Sequence, residues 1–329
     1  MLNKNIHLKD ETLDSNIERA PTRDGFGTGV TEAGEKNSNV VVLCADLSES
    51  TRAEWFQKKF PERFIEIGVA EQNLATVGAG MANYGKIPFV ASYAAFSPGR
   101  NWEQIRTTVA LNNVPVKVCG MHAGVSVGPD GATHQMLEDI ALMRALPNMV
   151  VVVPADAQEA RKATLAAAEN NAPTYLRFAR EKTPVFTTED TPFEIGKAVV
   201  LWKSKKPEVT LIGCGPLVHT ALLAAQELEK RGIGSTVINN HTIKPLDAET
   251  IVAEVKETGA VVTIEEHQVT GGLGGAIAEL LAKECPTPIE FIGVQNQFGQ
   301  SGTPTELLDH YGMGVSHIVE AALRAIERK

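Results

Sequence analysis

The 329-residue sequence is poor in the features that mark several protein classes. It has four cysteines, Cys44, Cys119, Cys214 and Cys285, so far apart that a disulfide scaffold and a close-spaced zinc site are excluded. Basic residues are in deficit. The 31 Lys and Arg against 40 Asp and Glu leave a formal charge of −9, the wrong field for duplex nucleic acid. No apolar run approaches the roughly 20 residues of a membrane span. The opening MLNKNIHLKDETLDSN lacks the apolar stretch of a signal peptide, so a cytoplasmic location is expected. Aromatic residues make up only 5% of the chain, which gives weight to any pair of them outside a core pattern. What remains is ordinary globular composition, 43% hydrophobic and 22% charged, in a chain long enough for about two domains.

Residues 1–18 are polar and aperiodic, and are expected to be an arm that orders only against a partner. From Asn39 the run NVVVLCADL is continuously apolar, as in a parallel strand buried on both faces. Similar runs recur at 87–93, 114–120 and 149–156, separated by the helical segments Glu71–Asn83, Glu103–Asn112 and Gln158–Glu169. That alternation predicts a doubly wound α/β sheet. The stretch Glu181–Glu194, rich in threonine, acid and proline, breaks the rhythm. Alternation resumes with strands at 209–215, 235–240 and 260–266, a helix near Val218–Arg231, and another after Gly271–Gly275. The chain is therefore divided into an arm (1–18), an α/β domain (19–184), a linker (185–196) and a second α/β domain (197–329).

Several motifs have a plain explanation. Gly271–Gly275 and Gly213-Cys214-Gly215 lack the spacing of a dinucleotide fingerprint and fit close packing at strand-to-helix turns. Glu265, Glu266 and His267 are consecutive on a strand, so they point to opposite faces and are expected at a solvated strand end rather than around a metal. His7, His219, His241, His310 and His317 stand alone and receive no role.

The first domain concentrates the unusual residues. Glu71 opens a helix just past an apolar strand, where an acid also complements the helix dipole by about 0.3–1 kcal/mol. Tyr93 and Phe96 stand at the carboxyl end of a strand, where open α/β sheets bind ligands. The loop His122–His134 sets two histidines and Asp130 among glycines. Arg177 and Arg180 follow an apolar stretch, and suit either an anion clamp or a surface charge.

These residues carry a resemblance. The chain from about Arg19 onward resembles the C-terminal half of transketolase, through Thr22-Arg23, Ala45-Asp46-Leu47-Ser48-Glu49-Ser50, Gly68-Val69-Ala70-Glu71-Gln72, Gly128-Pro129-Asp130-Gly131-Ala132-Thr133-His134-Gln135 and Ile243-Lys244-Pro245-Leu246-Asp247. The resemblance implies a thiamine diphosphate-binding, pyrimidine-type domain followed by a transketolase C-terminal domain. It implies that Glu71 hydrogen-bonds the cofactor's pyrimidine, so that the cofactor's own amino nitrogen performs the proton removal. Tyr93 and Phe96 would flank that ring, with Asp46 nearby. His134 and His122 would line the sugar channel, with His134 as a catalytic residue, and Asp130 would read a substrate hydroxyl. Arg23, Ser50, His122 and Arg180 would grip a sugar phosphate.

The departures matter as well. The family holds diphosphate and Mg²⁺ through Gly-Asp-Gly followed downstream by Asn, and this sequence has no Gly-Asp-Gly. No metal ligand is therefore expected on this chain. An N-terminal subunit carrying the motif is implied, in a heterotetramer of two copies of each chain that acts on sugar phosphates. Gly99 stands where many relatives place a third aromatic, and Arg100 beside it resembles an arginine of deoxyxylulose phosphate synthases. Two other enzyme readings are a β subunit of a 2-oxo acid dehydrogenase decarboxylating component and a split transketolase for branched or sulfonated sugars. A non-catalytic half with the same fold is a third.

Overall fold

The computed structural model describes residues 1–329. The apolar runs form strands because alternate residues feed two different cores. In Val40–Cys44, Val41 and Leu43 face one core while Val40, Val42 and Cys44 face the other. Six parallel strands lie in the order Phe64–Glu66, Val40–Cys44, Ile87–Tyr93, Lys117–Met121, Thr174–Arg177 and Val150–Val152. The chain leaves Val40–Cys44 for Phe64–Glu66 on one side and returns as Ile87–Tyr93 on the other. That reversal opens a crevice at the carboxyl ends of the strands, the usual ligand position in such sheets. The second sheet has the order Ile289–Val294, Val261–Gln268, Val209–Gly213, Ser235–Asn239 and Val199–Lys203, with only the last antiparallel. Two α/β domains result. No helix is long and apolar enough to cross a membrane.

Two helices set the depth of the crevice. Glu71–Asn83 covers its predicted span, and Gly78 lets it settle onto Val90. Thr22–Lys36 packs on Ala157–Glu169 through Gly25 and Gly29, and a Cβ at Gly25 would run into the Ala157 carbonyl oxygen. This close approach holds the first turn of Thr22–Lys36, with Arg23, against the sheet.

Three expectations differ from the structure. The arm packs on its own chain: the Asn3 amide donates to the Leu201 carbonyl (2.8 Å), the Lys9 amide to that of Phe186 (2.9 Å), and Ile17 is buried. The threonine-rich stretch is tied to the first domain, where Asp156 accepts from the Phe186 amide and from both the amide and hydroxyl of Thr187, all buried. The helix expected over Glu103–Asn112 is a short turn, Trp102–Gln104, followed by a π-helix, Ile105–Ala110. Its β-branched run is a poor α-helix former, and the Thr107 and Thr108 hydroxyls bond back to the Glu103 and Gln104 carbonyls.

Glu265, Glu266 and His267 are buried at 1%, 4% and 0% exposure, not solvated as expected. Their strand, Val261–Gln268, ends in the seam between the domains. Glu266 points away from the other two, as strand geometry requires, while Glu265 and His267 share a face with His267 Nδ1 3.8 Å from the Glu265 carboxylate. The Glu265 carboxylate accepts from the Leu273 and Gly274 amides at the start of the helix Leu273–Glu284, Glu266 accepts from the Ser126 amide, and His267 Nε2 accepts from the Ala141 amide. Glu265 thus fills the helix N-terminus that a dinucleotide phosphate would occupy, and a Cβ on Gly272 would collide with it.

Gly25→Ala is expected to cost about 1–3 kcal/mol by overpacking this helix pair, read as a lower urea midpoint at unchanged slope.

Candidate active site

The residues singled out in the first domain lie at or beyond the carboxyl end of a strand or near the start of the next helix. Glu71 is the first residue of its helix and is 2% exposed. The segment after the aromatic pair holds it twice. Asn101, fully buried, donates to the Glu71 carbonyl (2.8 Å), and Arg100 Nη1 donates to the Glu71 carboxylate (3.0 Å). Arg100 also lies over the Phe96 ring, 5.2 Å from its centroid. Gly99 is required here, since a Cβ on it would meet the Ala95 carbonyl oxygen. A third aromatic does not fit this turn.

Tyr93 and Phe96 lie nearly parallel, with centroids 6.0 Å apart and planes at 17°. Tyr93 stacks on His122 at 3.9 Å, and His134 meets Phe96 edge-on at 5.5 Å. The four rings form one partly buried wall, stabilised by offset and edge contacts worth about 0.5–1.5 kcal/mol each.

Arg23 Nη1 donates to the Ser50 carbonyl (2.8 Å) and faces His122 Nε2 (3.4 Å). Arg180 Nη1 donates to the Val127 carbonyl (2.8 Å) and reaches Asp130 at 3.5 Å. Ser50 therefore meets Arg23 through its carbonyl, and Arg23 and Arg180 keep further N–H groups unused. An arginine only donates, so His122 Nε2 is an acceptor and the ring proton sits on Nδ1, which is buried without a partner. Burial, then the charges of Arg23, Arg180 and Arg52, push His122 down to about 3. Arg52, absent from the predicted set, pairs with Asp24 at 2.7 Å.

Two predicted residues stand apart from these contacts. The Asp46 carboxylate is exposed and makes no hydrogen bond, while its amide, in left-handed backbone (φ 57°), is held by Glu66. Arg177 is no anion clamp: it is 5% exposed and paired with buried Asp139 at 2.7 Å. No group of three or more His, Cys, Asp and Glu side chains is placed to hold a metal ion.

Residues 18–185 match the family described as transketolase, pyrimidine binding domain, and residues 196–318 that described as transketolase, C-terminal domain. The chain belongs to the transketolase family. A protein of Methanocaldococcus jannaschii described as a transketolase C-terminal section is 42% identical over 310 residues, 93% of this chain and 96% of that protein. A 6-deoxy-6-sulfo-D-fructose transketolase subunit of Clostridium sp. is 37% identical, covering 97% of this chain and 99% of its own. A solved split gene transketolase, an inactive β4 tetramer, superposes with a TM-score of 0.87 at 44% identity, over 93% of this chain and 98% of that one.

Within this transketolase fold, sequence reasoning missed Asn101 and undervalued Arg100. The faint signal for both was their place directly after the aromatic pair, on the turn that Gly99 permits.

His122 is expected to stay neutral between about pH 5 and pH 8, because burial and positive neighbours lower rather than raise its proton affinity. Histidine ¹⁵N NMR would show flat Nδ1 and Nε2 shifts over that range. Arg23→Met should move the titration upward, and a wild-type titration near the ordinary value would contradict the assignment.

Proposed function

We propose that the chain is the C-terminal subunit of a split, thiamine diphosphate-dependent transketolase that carries a two-carbon ketol unit from a ketose phosphate to an aldose phosphate. The observation that carries this reading is the buried Glu71 carboxylate beside the parallel Tyr93 and Phe96 rings at the sheet's reversal point. Relatives that match this chain along nearly their whole length support the split arrangement.

The residues present suit one half of the cofactor. A flat heteroaromatic ring needs apolar ring faces and, at a ring nitrogen, a carboxyl group, and this ledge supplies both. When bound, thiamine diphosphate supplies the carbon nucleophile for cleavage next to a ketose carbonyl. Glu71 would hold a proton at the ring nitrogen, and Tyr93 and Phe96 would orient the ring. Asp46 lies at the same end of the sheet, on the edge of the site. Diphosphate and Mg²⁺ would be held by the partner subunit bearing Gly-Asp-Gly and Asn, in a heterotetramer of two copies of each chain.

The substrate side follows the same division. His122, neutral and with Nε2 taken by Arg23, would offer its Nδ1 hydrogen to a substrate hydroxyl without carrying charge. His134, hydrogen-bonded to the Thr133 hydroxyl (2.9 Å), is the more accessible imidazole and the better candidate for moving a proton at a substrate hydroxyl. Asp130 would accept from a hydroxyl. The unused donors of Arg23 and Arg180, beside Ser50, would bind the anionic end of the sugar. A sulfonate would meet the same donors, and the Clostridium relative makes a sulfonated ketose the second substrate reading.

In the enzyme assembled with its N-terminal subunit, Glu71→Gln should lower turnover by about 10²- to 10⁴-fold with an unchanged circular dichroism spectrum. Near-normal turnover of xylulose 5-phosphate with ribose 5-phosphate would overturn the role of Glu71. Arg23→Met should raise KM about ten- to a hundredfold for a phosphorylated ketose and leave the unphosphorylated ketose little affected. Equal losses on both would remove Arg23 from the anion grip.

A further inference from the structure

The loop His122–His134 has little regular structure of its own. His122, Gly124, Gly128 and Gly131 all have left-handed backbone (φ 55°, 91°, 83° and 73°), and regular structure within it is one short, kinked 3₁₀ stretch, Val125–Asp130. Contacts from the second domain surround that stretch. The Ser126 amide donates to the Glu266 carboxylate at 2.6 Å, both residues being buried. A Cβ on Gly124 would run into the same carboxylate. Val125 lies in the second domain's apolar core, and the Gln135 amide donates to the Val125, Gly128 and Gln300 carbonyls. The strand that carries Glu266 is itself gripped from the first domain, where Arg177 Nη2 donates to the Glu266 carbonyl (2.8 Å).

We infer that Glu266, on the second domain, is a positioning residue for the substrate channel: by seating the Ser126 amide it sets the course of the loop that aims His122, Asp130 and His134. The inference deepens the proposed function and rests on it for its catalytic arm only. It gives the C-terminal domain a task at the site without contact with substrate. The reach of the acceptor oxygen is what the site needs, not the charge. A group that places a neutral oxygen at the same point serves, and a charged group one methylene shorter does not.

Hydrogen exchange of the full chain tests this without any activity. Glu266→Asp should raise exchange in peptides spanning 122–131 about tenfold, as expected for loss of one buried hydrogen bond, while Glu266→Gln stays near wild type. Retention of slow exchange in Glu266→Asp together with fast exchange in Glu266→Gln would make charge the determinant and overturn the proposal. So would a rise spread evenly over the second domain. In the assembled enzyme, Glu266→Asp should raise KM for the ketose phosphate about tenfold and leave thiamine diphosphate affinity unchanged, since Glu71, Tyr93 and Phe96 lie on other elements. A fall in cofactor affinity instead would count against it. An inactive wild-type assembly would defeat the transketolase reading while the exchange result still decides the role of Glu266.

Discussion

The ion pair between Arg177 and Asp139 sits where everything else meets. Both side chains are buried, and the guanidinium donates to the carboxylate at 2.7 and 3.3 Å while the Tyr175 hydroxyl adds a third bond at 2.6 Å. Burial alone would raise the Asp139 carboxyl, but the Arg177 charge and these hydrogen bonds hold it below the ordinary carboxylate range. Removing either partner would strand a buried charge, which typically costs about 3–5 kcal/mol. The pair joins the end of the strand Thr174–Arg177, the start of the helix Asp139–Arg144 and, through Arg177, the second domain's strand Val261–Gln268. The loops that carry the site hang from this knot.

Much of the fold could be read from the sequence because parallel strands buried on both faces are written as continuous β-branched runs. Val40–Cys44 and Ile87–Tyr93 needed no tertiary knowledge, and Glu71–Asn83 announced itself by its acid start. The aromatic pair and the glycine-set loop could be noticed for their scarcity and spacing. The roles proposed for Glu71, Tyr93, Phe96, Arg23, Ser50, His122 and Arg180 came from family resemblance and not from periodicity. Glu265-Glu266-His267 was misread because burial of a strand end depends on what packs over it, here a seam formed with residues more than a hundred positions earlier. The arm was misread for the same reason: its partners, Phe186 and Leu201, lie far along the chain. Arg100 and Asn101 belong to a turn whose shape no local rule predicts.

The site as it stands is a ledge rather than a pocket. Asp46, Asp130, Gly99 and Arg100 are exposed, while the groups that need a dry setting, Glu71 and His122, are sunk behind them. Electrostatically the ledge is divided. Glu71, paired with Arg100, lies at the aromatic end, and Arg23, Arg52 and Arg180 crowd around His122 at the other.

The short strand Thr242–Lys244 belongs by sequence to the second domain yet completes the first domain's sheet, antiparallel to Val150–Val152. During synthesis the edge at Val150–Val152 therefore stays open until some ninety further residues have been made. An unpaired strand edge is a template for wrong pairing with other chains. The two domains are thus interlaced as a folding problem as well as packed side by side. A first domain cut free at the threonine-rich stretch would expose that edge permanently and would be prone to self-association before any question of catalysis arose.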